Sequence, residues 1–136
     1  MTTPFPHPTI TTIGLPGWGG APQDFDILRY HLPPRIQLEG RALLGPLPTD
    51  LKGKLLLGYS MGARVALHWT LNACSQPAGL VLIGATAGID DDDARVQRAH
   101  EQSRQLETLR KQGVSRFAAK WAALPIISTQ HRMGSP

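Results

Sequence analysis

Cysteine is nearly missing from this 136-residue chain: Cys74 is its single thiol, so no internal disulfide can form. A reducing compartment is the expectation that follows. Nowhere do 18 apolar residues run together, as a membrane-spanning helix would require. The N-terminus also lacks the charged start and apolar core of a secretory leader, and the expected location is cytoplasmic. Blocks of like basic charge are equally scarce. The net charge of +4 is spread along the chain, with six Lys/Arg against four Asp/Glu in residues 1–89 and eight against six in residues 90–136. Without a basic block or interleaved aromatics, the electrostatic footprint of a nucleic-acid binder is missing. A small anionic ligand stays compatible.

Against these absences stand 14 glycines and 12 prolines, which make the chain rich in turns, in a composition with 41% hydrophobic and 18% charged residues that is ordinary for a globular domain. The stretch around which the rest arranges itself is Leu55-Leu56-Leu57-Gly58-Tyr59-Ser60-Met61-Gly62-Ala63-Arg64. An apolar run breaks into Gly-x-Ser-x-Gly and continues as helix-forming sequence, the strand–turn–helix setting of a nucleophile elbow. There the serine takes a strained backbone conformation, and the positions two before and two after it must be nearly free of side chain. Gly58 and Gly62 meet that demand. The turn lifts the Ser60 hydroxyl above the sheet and leaves the Met61 backbone N–H at a helix N-terminus, where it can stabilise an oxyanion. The bland alternative is a chance Gly/Ser turn, which the flanking strand and helix patterns disfavour.

Read in order, Met1–Pro8 is a loose Pro- and Thr-rich end, and Ile10–Leu15 is a β-branched strand. Pro16-Gly17-Trp18-Gly19-Gly20 follows: either a Pro-Gly turn with Trp18 as a packing residue, or, given the elbow downstream, a main-chain turn whose N–H groups complete an oxyanion hole. Asp24–Leu32 is a short amphipathic helix stopped by Pro33-Pro34, Arg35–Leu38 a further strand, and residues 39–53 a loop. Lys54–Leu57 is the central strand. The helix after Ser60 is apolar nearly all round through Val65, Ala66, Leu67, Trp69 and Leu71, as for one packed on a sheet; His68 is a packed or rim residue of that helix. Gly79–Gly84 reads as a buried parallel strand. From Asp90 the sequence turns polar. Asp90–Asp93 read as N-terminal helix charge in preference to a metal site. One helix face is marked by Val96, Ala99, Ser103, Leu106 and Leu109, Gly113 ends it, and Val114, Phe117, Ala118 and Trp121 mark a second helix before Pro125. The expected fold class is α/β: a mostly parallel sheet of about four strands with flanking helices and a helical lid, which together with the elbow resembles a partial α/β-hydrolase fold. Residues 1–89 form the core, 90–127 the lid and 128–136 an unstructured tail.

These residues resemble the α/β-hydrolase superfamily and, within it, the 2-succinyl-6-hydroxy-2,4-cyclohexadiene-1-carboxylate synthase family of menaquinone biosynthesis. Gly58 through Arg64 carry the likeness, with the lid segment from Gly88 through Arg98, Gly113, Phe117 and Trp121 to Leu124-Pro125. The elbow by itself is shared with esterases, thioesterases and lipases. The resemblance implies that Ser60 is the catalytic serine, that Trp18 and Met61 supply oxyanion-hole N–H groups, and that Arg64 and Arg98 bind substrate carboxylates. Tyr59 and Trp121 join them as substrate-binding residues. It implies no metal and no cofactor. The reaction would eliminate pyruvate from a carboxylate-bearing cyclohexene precursor, beginning with proton abstraction; guanidinium forks suit the carboxylates and backbone donors the developing enolate. Outside the resemblance, Arg64 and Arg98 read as solvated helix residues.

In the superfamily an acid and a histidine follow the lid, and this sequence stops short of them, which reads as a C-terminally truncated form. Of the histidines, only His131 follows the lid, and Pro16 stands where the first oxyanion loop usually has histidine. Three readings therefore stay open: a synthase-like or esterase-like enzyme in shortened form, a non-catalytic hydrolase-like module binding a small anion or a partner, and an inert fragment. A homo-oligomer is open as well.

Overall fold

Residues 8–128 are described by the computed structural model. Apart from Pro8, and from Ser128, which ends a short helix, the loose start and the tail expected from the sequence, with His7 and His131, lie outside the described residues. The chain divides into two compact units, with the boundary between Ala87 and Gly88.

In the first unit the apolar, β-branched runs become four strands, β1 (Ile10–Leu15), β2 (Ile36–Gly40), β3 (Leu55–Tyr59) and β4 (Gly79–Ile83). They form one parallel sheet in the order β2-β1-β3-β4. The register pairs Ile13 with Glu39 on one side and with Leu56 on the other, and Leu57 with Val81. A 3-10 turn, Pro22–Phe25, leads into α1 (Asp26–His31), so the helix expected over Asp24–Leu32 is split; α2 (Met61–Asn72) follows β3 directly. Residues 41–54 hold neither strand nor helix, as their Gly and Pro content predicts.

Adjacent strand residues face opposite sides, and the core is divided accordingly. Leu56 joins Ile13, Leu15, Leu51 and Ala66 in a fully buried cluster on the α2 side, with Val65, Trp69 and Leu80 packed against it. Leu57 joins Phe25 and Leu38 on the other side. Burying a Leu or Ile side chain contributes about 1.5–3 kcal/mol, so the cluster under α2 anchors this unit. Small residues let α2 come close: Gly62, Ala63 and Ala66 are its buried positions.

The expectation of a buried β4 is corrected. Val81, Leu82 and Ile83 are 46%, 38% and 47% exposed. Among the described residues β4 is the sheet edge, hydrogen-bonded to β3 on one side, and α2 covers part of one face. A continuous apolar run signals that a strand is suited to burial on both faces; whether a neighbour covers it is a tertiary matter.

The second unit contains α3 (Asp92–Ala122) and the short α4 (Pro125–Ser128). α3 is broken at Gly113, whose φ of +78° and ψ of 168° interrupt the helix where the sequence predicts its end. Asp91 is the N-cap: its carboxylate accepts from the Ala94 N–H at 2.7 Å, with Asp92 and Asp93 in the first turn. Such a cap contributes about 1 kcal/mol, and Asp92 and Asp93 add negative charge at the helix N-terminus. Phe117 and Trp121 stack with ring centroids 6.1 Å apart. Val96 and Leu106 on the predicted apolar face are exposed. No helix among the described residues is long and apolar enough to cross a membrane.

Candidate active site

In an open parallel sheet, ligands bind beyond the carboxyl ends of the strands, where the strand order switches direction. Here that point lies between β1 and β3, because the chain places β2 on one side of β1 and β3 on the other. Two segments leave the sheet there: Pro16–Gly20 after β1, and Ser60 after β3.

Ser60 has φ 53° and ψ −112° and is the N-cap of α2. Among the described residues it is the one non-glycine residue with positive φ. Its amide is tied down, donating to the Ile83 carbonyl at 2.7 Å, while its carbonyl accepts from the Arg64 N–H at 3.3 Å. The flanking glycines are required by close approach. A Cβ on Gly58 would stand 2.6 Å from the Ala63 nitrogen, and one on Gly62 would run into the Leu15 and Pro16 carbonyls. The N-terminus of α2 thus sits directly on the end of β1, which brings the glycine-rich loop to the serine. Gly17 lies beside it: a Cβ there would stand 3.6 Å from Ser60 Cβ. The loop closes through a Gly20 N–H to Gly17 carbonyl bond of 3.1 Å and is followed by an Ala21 N–H to Asp24 carboxylate bond of 3.0 Å.

Of the residues singled out from sequence, the first unit brings together Ser60, Met61, Tyr59, Arg64 and the Trp18 loop. Met61 is the first residue of α2, where a helix leaves its N–H groups without intrahelical acceptors. Tyr59, the last residue of β3, is half exposed, as is Trp18. Arg64 is exposed on the first turn of α2. Arg98 and Trp121 belong to the second unit; the Arg98 guanidinium lies 3.7 Å from Glu101. His31 and His68 are exposed, and His68 accepts from the Asn72 amide through its backbone carbonyl at 2.7 Å, so it is a rim residue of α2. Neither is hydrogen-bonded to Ser60. The part played by Gly17 itself was not legible, since its place beside Ser60 depends on how α2 docks on β1. The Pro-Gly-Trp-Gly-Gly run marks the loop but not which of its residues lies beside the serine.

A parallel sheet in this order, with a strained serine between its third strand and the helix that follows, defines the α/β-hydrolase fold. Similarity to known proteins points the same way. The 2-succinyl-6-hydroxy-2,4-cyclohexadiene-1-carboxylate synthase of Klebsiella pneumoniae subsp. pneumoniae is 30% identical over 74 residues, covering 54% of this chain and 29% of that protein. The enzyme of the same name from Enterobacter sp. is 30% identical over 76 residues, covering 54% and 28%. The structure of MenH from S. aureus superposes with a TM-score of 0.77 at 18% identity, over 96% of this chain and 57% of that one. The matched stretch thus spans under a third of the length of these curated relatives. No family model matches the chain.

Proposed function

We propose that this chain carries the nucleophile side of an α/β-hydrolase-type active site for a small carboxylate-bearing substrate, and that the reaction is of the 2-succinyl-6-hydroxy-2,4-cyclohexadiene-1-carboxylate synthase kind, eliminating pyruvate from a polycarboxylate precursor. The observation that carries this is the backbone of Ser60, φ 53° and ψ −112°, held between two glycines whose replacement would collide with backbone. A non-glycine residue in that region costs roughly 1–3 kcal/mol, and such strain persists where the surroundings over-determine it, characteristically at a reacting group. In this reading Ser60 is the catalytic serine. The N–H groups of Met61 and Trp18 stabilise the oxyanion or enolate, Arg64 takes a substrate carboxylate and Tyr59 lines the pocket; for Arg98 and Trp121 a substrate-binding role rests on the resemblance alone. The exposed guanidinium of Arg64, one helical turn beyond the serine, supports its share of that role.

Labelling of the native chain with a serine-directed fluorophosphonate tests the nucleophile: modification of Ser60 is expected, and its absence would sink the assignment. Arg64→Ala and Arg98→Ala are each expected to weaken binding of a succinyl-bearing ring carboxylate by about 1–3 kcal/mol, as lost charged hydrogen bonds, in a calorimetric titration. Unchanged affinity in both would move the reading to a carboxylesterase or thioesterase. A second reading, a non-catalytic anion-binding module of the same fold, is favoured by one observation: His31 and His68, the described histidines of the first unit, are exposed and not bonded to Ser60. That module would bind the ligand through Arg64 without labelling.

A further inference from the structure

The ring of Tyr59 lies between two glycines, one following each neighbouring strand, and occupies the space beside both. A Cβ built on Gly17, after β1, would stand 3.1 Å from Cδ1 and 3.3 Å from Cε1 of the ring. Across the ring, a Cβ on Gly84, the residue after β4, would stand 3.7 Å from Cε2. Since β1 and β4 are the two strands that flank β3, one side chain from the central strand spans the gap between the loops on either side of the serine. Gly84 has φ +64°, a conformation that L side chains rarely adopt, so a larger residue there is disfavoured by backbone strain, while the ring would meet its Cβ at ordinary van der Waals distance.

The loop after β1 needs such a support. Three of the four residues Gly17–Gly20 are glycine, so the segment loses much conformational entropy on ordering and offers few side chains by which to be held. Its internal bond, Gly20 N–H to Gly17 carbonyl, fixes the turn's shape but not its distance from the elbow. Docking of α2 on the end of β1 brings the loop near the elbow; the Tyr59 ring, rigid and anchored on β3 immediately before Ser60, stands where even a Cβ on Gly17 would crowd it, and so limits how closely the loop can approach. We infer that Tyr59 is a positioning residue: its ring is a strut that sets the separation between the Trp18 and Met61 amides, independently of any contact its hydroxyl makes with substrate. This rests on the reading of those amides as the oxyanion site. Displacements of about 1 Å in such a site cost on the order of a hundredfold in rate, so a strut on the loop is a functional element.

The test compares the full chain with Tyr59→Phe, Tyr59→Leu and Tyr59→Ala, by hydrogen exchange of the backbone and by the rate of Ser60 labelling with a fluorophosphonate. Tyr59→Phe keeps the strut and is expected to match the wild type in the exchange of the loop after β1. Tyr59→Ala is expected to speed exchange in residues 16–20 by about tenfold or more while the amides of Leu56 and Leu57 stay protected, and to slow labelling by a similar factor. Tyr59→Leu falls between, and gives the answer if the alanine variant does not fold. The inference is overturned if Tyr59→Phe behaves like Tyr59→Ala, which would put the role in the hydroxyl, or if loss of the ring leaves exchange in residues 16–20 unchanged. A wild-type chain that is not labelled removes the catalytic reading, and the exchange comparison still decides the strut.

Discussion

Ser60 keeps φ 53° with a side chain attached, while the two positions that flank it at a spacing of two are reduced to hydrogen. The energetics of the elbow follow from that arrangement. Strain of roughly 1–3 kcal/mol at the serine exceeds the about 0.5–1 kcal/mol of extra backbone entropy that a glycine loses on folding. Ser60→Gly is therefore expected to raise the unfolding free energy by about 1 kcal/mol in urea denaturation while abolishing fluorophosphonate labelling. Ser60→Ala should abolish labelling without that gain, since alanine suffers the same strain. A Ser60→Gly variant no more stable than Ser60→Ala would mean that the backbone is not strained there. At this scale the sequence is informative: Gly58, Ser60 and Gly62 stand at the spacing the turn demands, and the reason each glycine is needed follows from the turn's backbone alone. The roles of Gly17 and Gly84 do not, because what lies beside them is set by the docking of three strands.

Between residues and the whole lie two local devices, one in each compact unit. Asp50 and Ser75 tie the entry to β3 to the exit from α2: Ser75 Oγ donates to the Asp50 carboxylate at 2.7 Å and accepts from the Leu51 N–H at 2.9 Å, while the Lys52 N–H donates to the same carboxylate at 2.9 Å. The Lys52 amide and then the Ser75 hydroxyl hold the Asp50 carboxyl below its ordinary range, with the Lys54 and Lys52 charges adding to the effect. A carboxylate whose pKa is lower folded than unfolded contributes stability fully above the unfolded value of about 3.9, and loses it as the pH falls through the folded one. Asp50→Ala is thus expected to lower the urea midpoint at pH 7, and the gap from wild type to narrow below about pH 4. A gap that stays constant with pH would show that the carboxylate's charge is not what holds the clasp.

The other device is the break at Gly113. Its φ of +78° and ψ of 168° lie in a region that is essentially open to glycine alone, and a Cβ there would meet nothing within 4 Å. Alanine at this position favours helix by about 1 kcal/mol and cannot hold the break cheaply. Gly113→Ala is accordingly expected to join the two arms of α3 and increase the helical circular dichroism at 222 nm. An unchanged spectrum with lowered stability would show that the break is held by its surroundings. Composition predicted the break, since a glycine between two apolar periodicities ends a helix; the Asp50–Ser75 clasp left no such trace, because its partners are 25 residues apart in sequence.

For the molecule as a whole, the open side of β4 is the feature with the largest physical consequence. Val81, Leu82 and Ile83 present apolar surface on a strand with a free hydrogen-bonding edge among the described residues, an arrangement that favours association with another strand. The chain is expected to self-associate as its concentration rises, and Leu82→Lys to reduce that association, as followed by light scattering. If association is equal in both, the edge is not its cause.

The sequence by itself determined what is local or periodic. Four apolar runs at strand length, a Gly-x-Ser-x-Gly between a strand and a helix, an aspartate cap and a glycine break were enough to reach a parallel α/β sheet with a serine elbow, because backbone sterics and hydrophobic periodicity act over a few residues. Tertiary structure decided what depends on neighbours: that Leu56 and Leu57 bury into separate cores, that β4 is an edge and not a covered strand, and that Gly17, Tyr59 and Gly84 meet beside Ser60. Those outcomes are fixed by strand order and by how closely α2 packs on β1, and both depend on contacts between residues far apart in the chain.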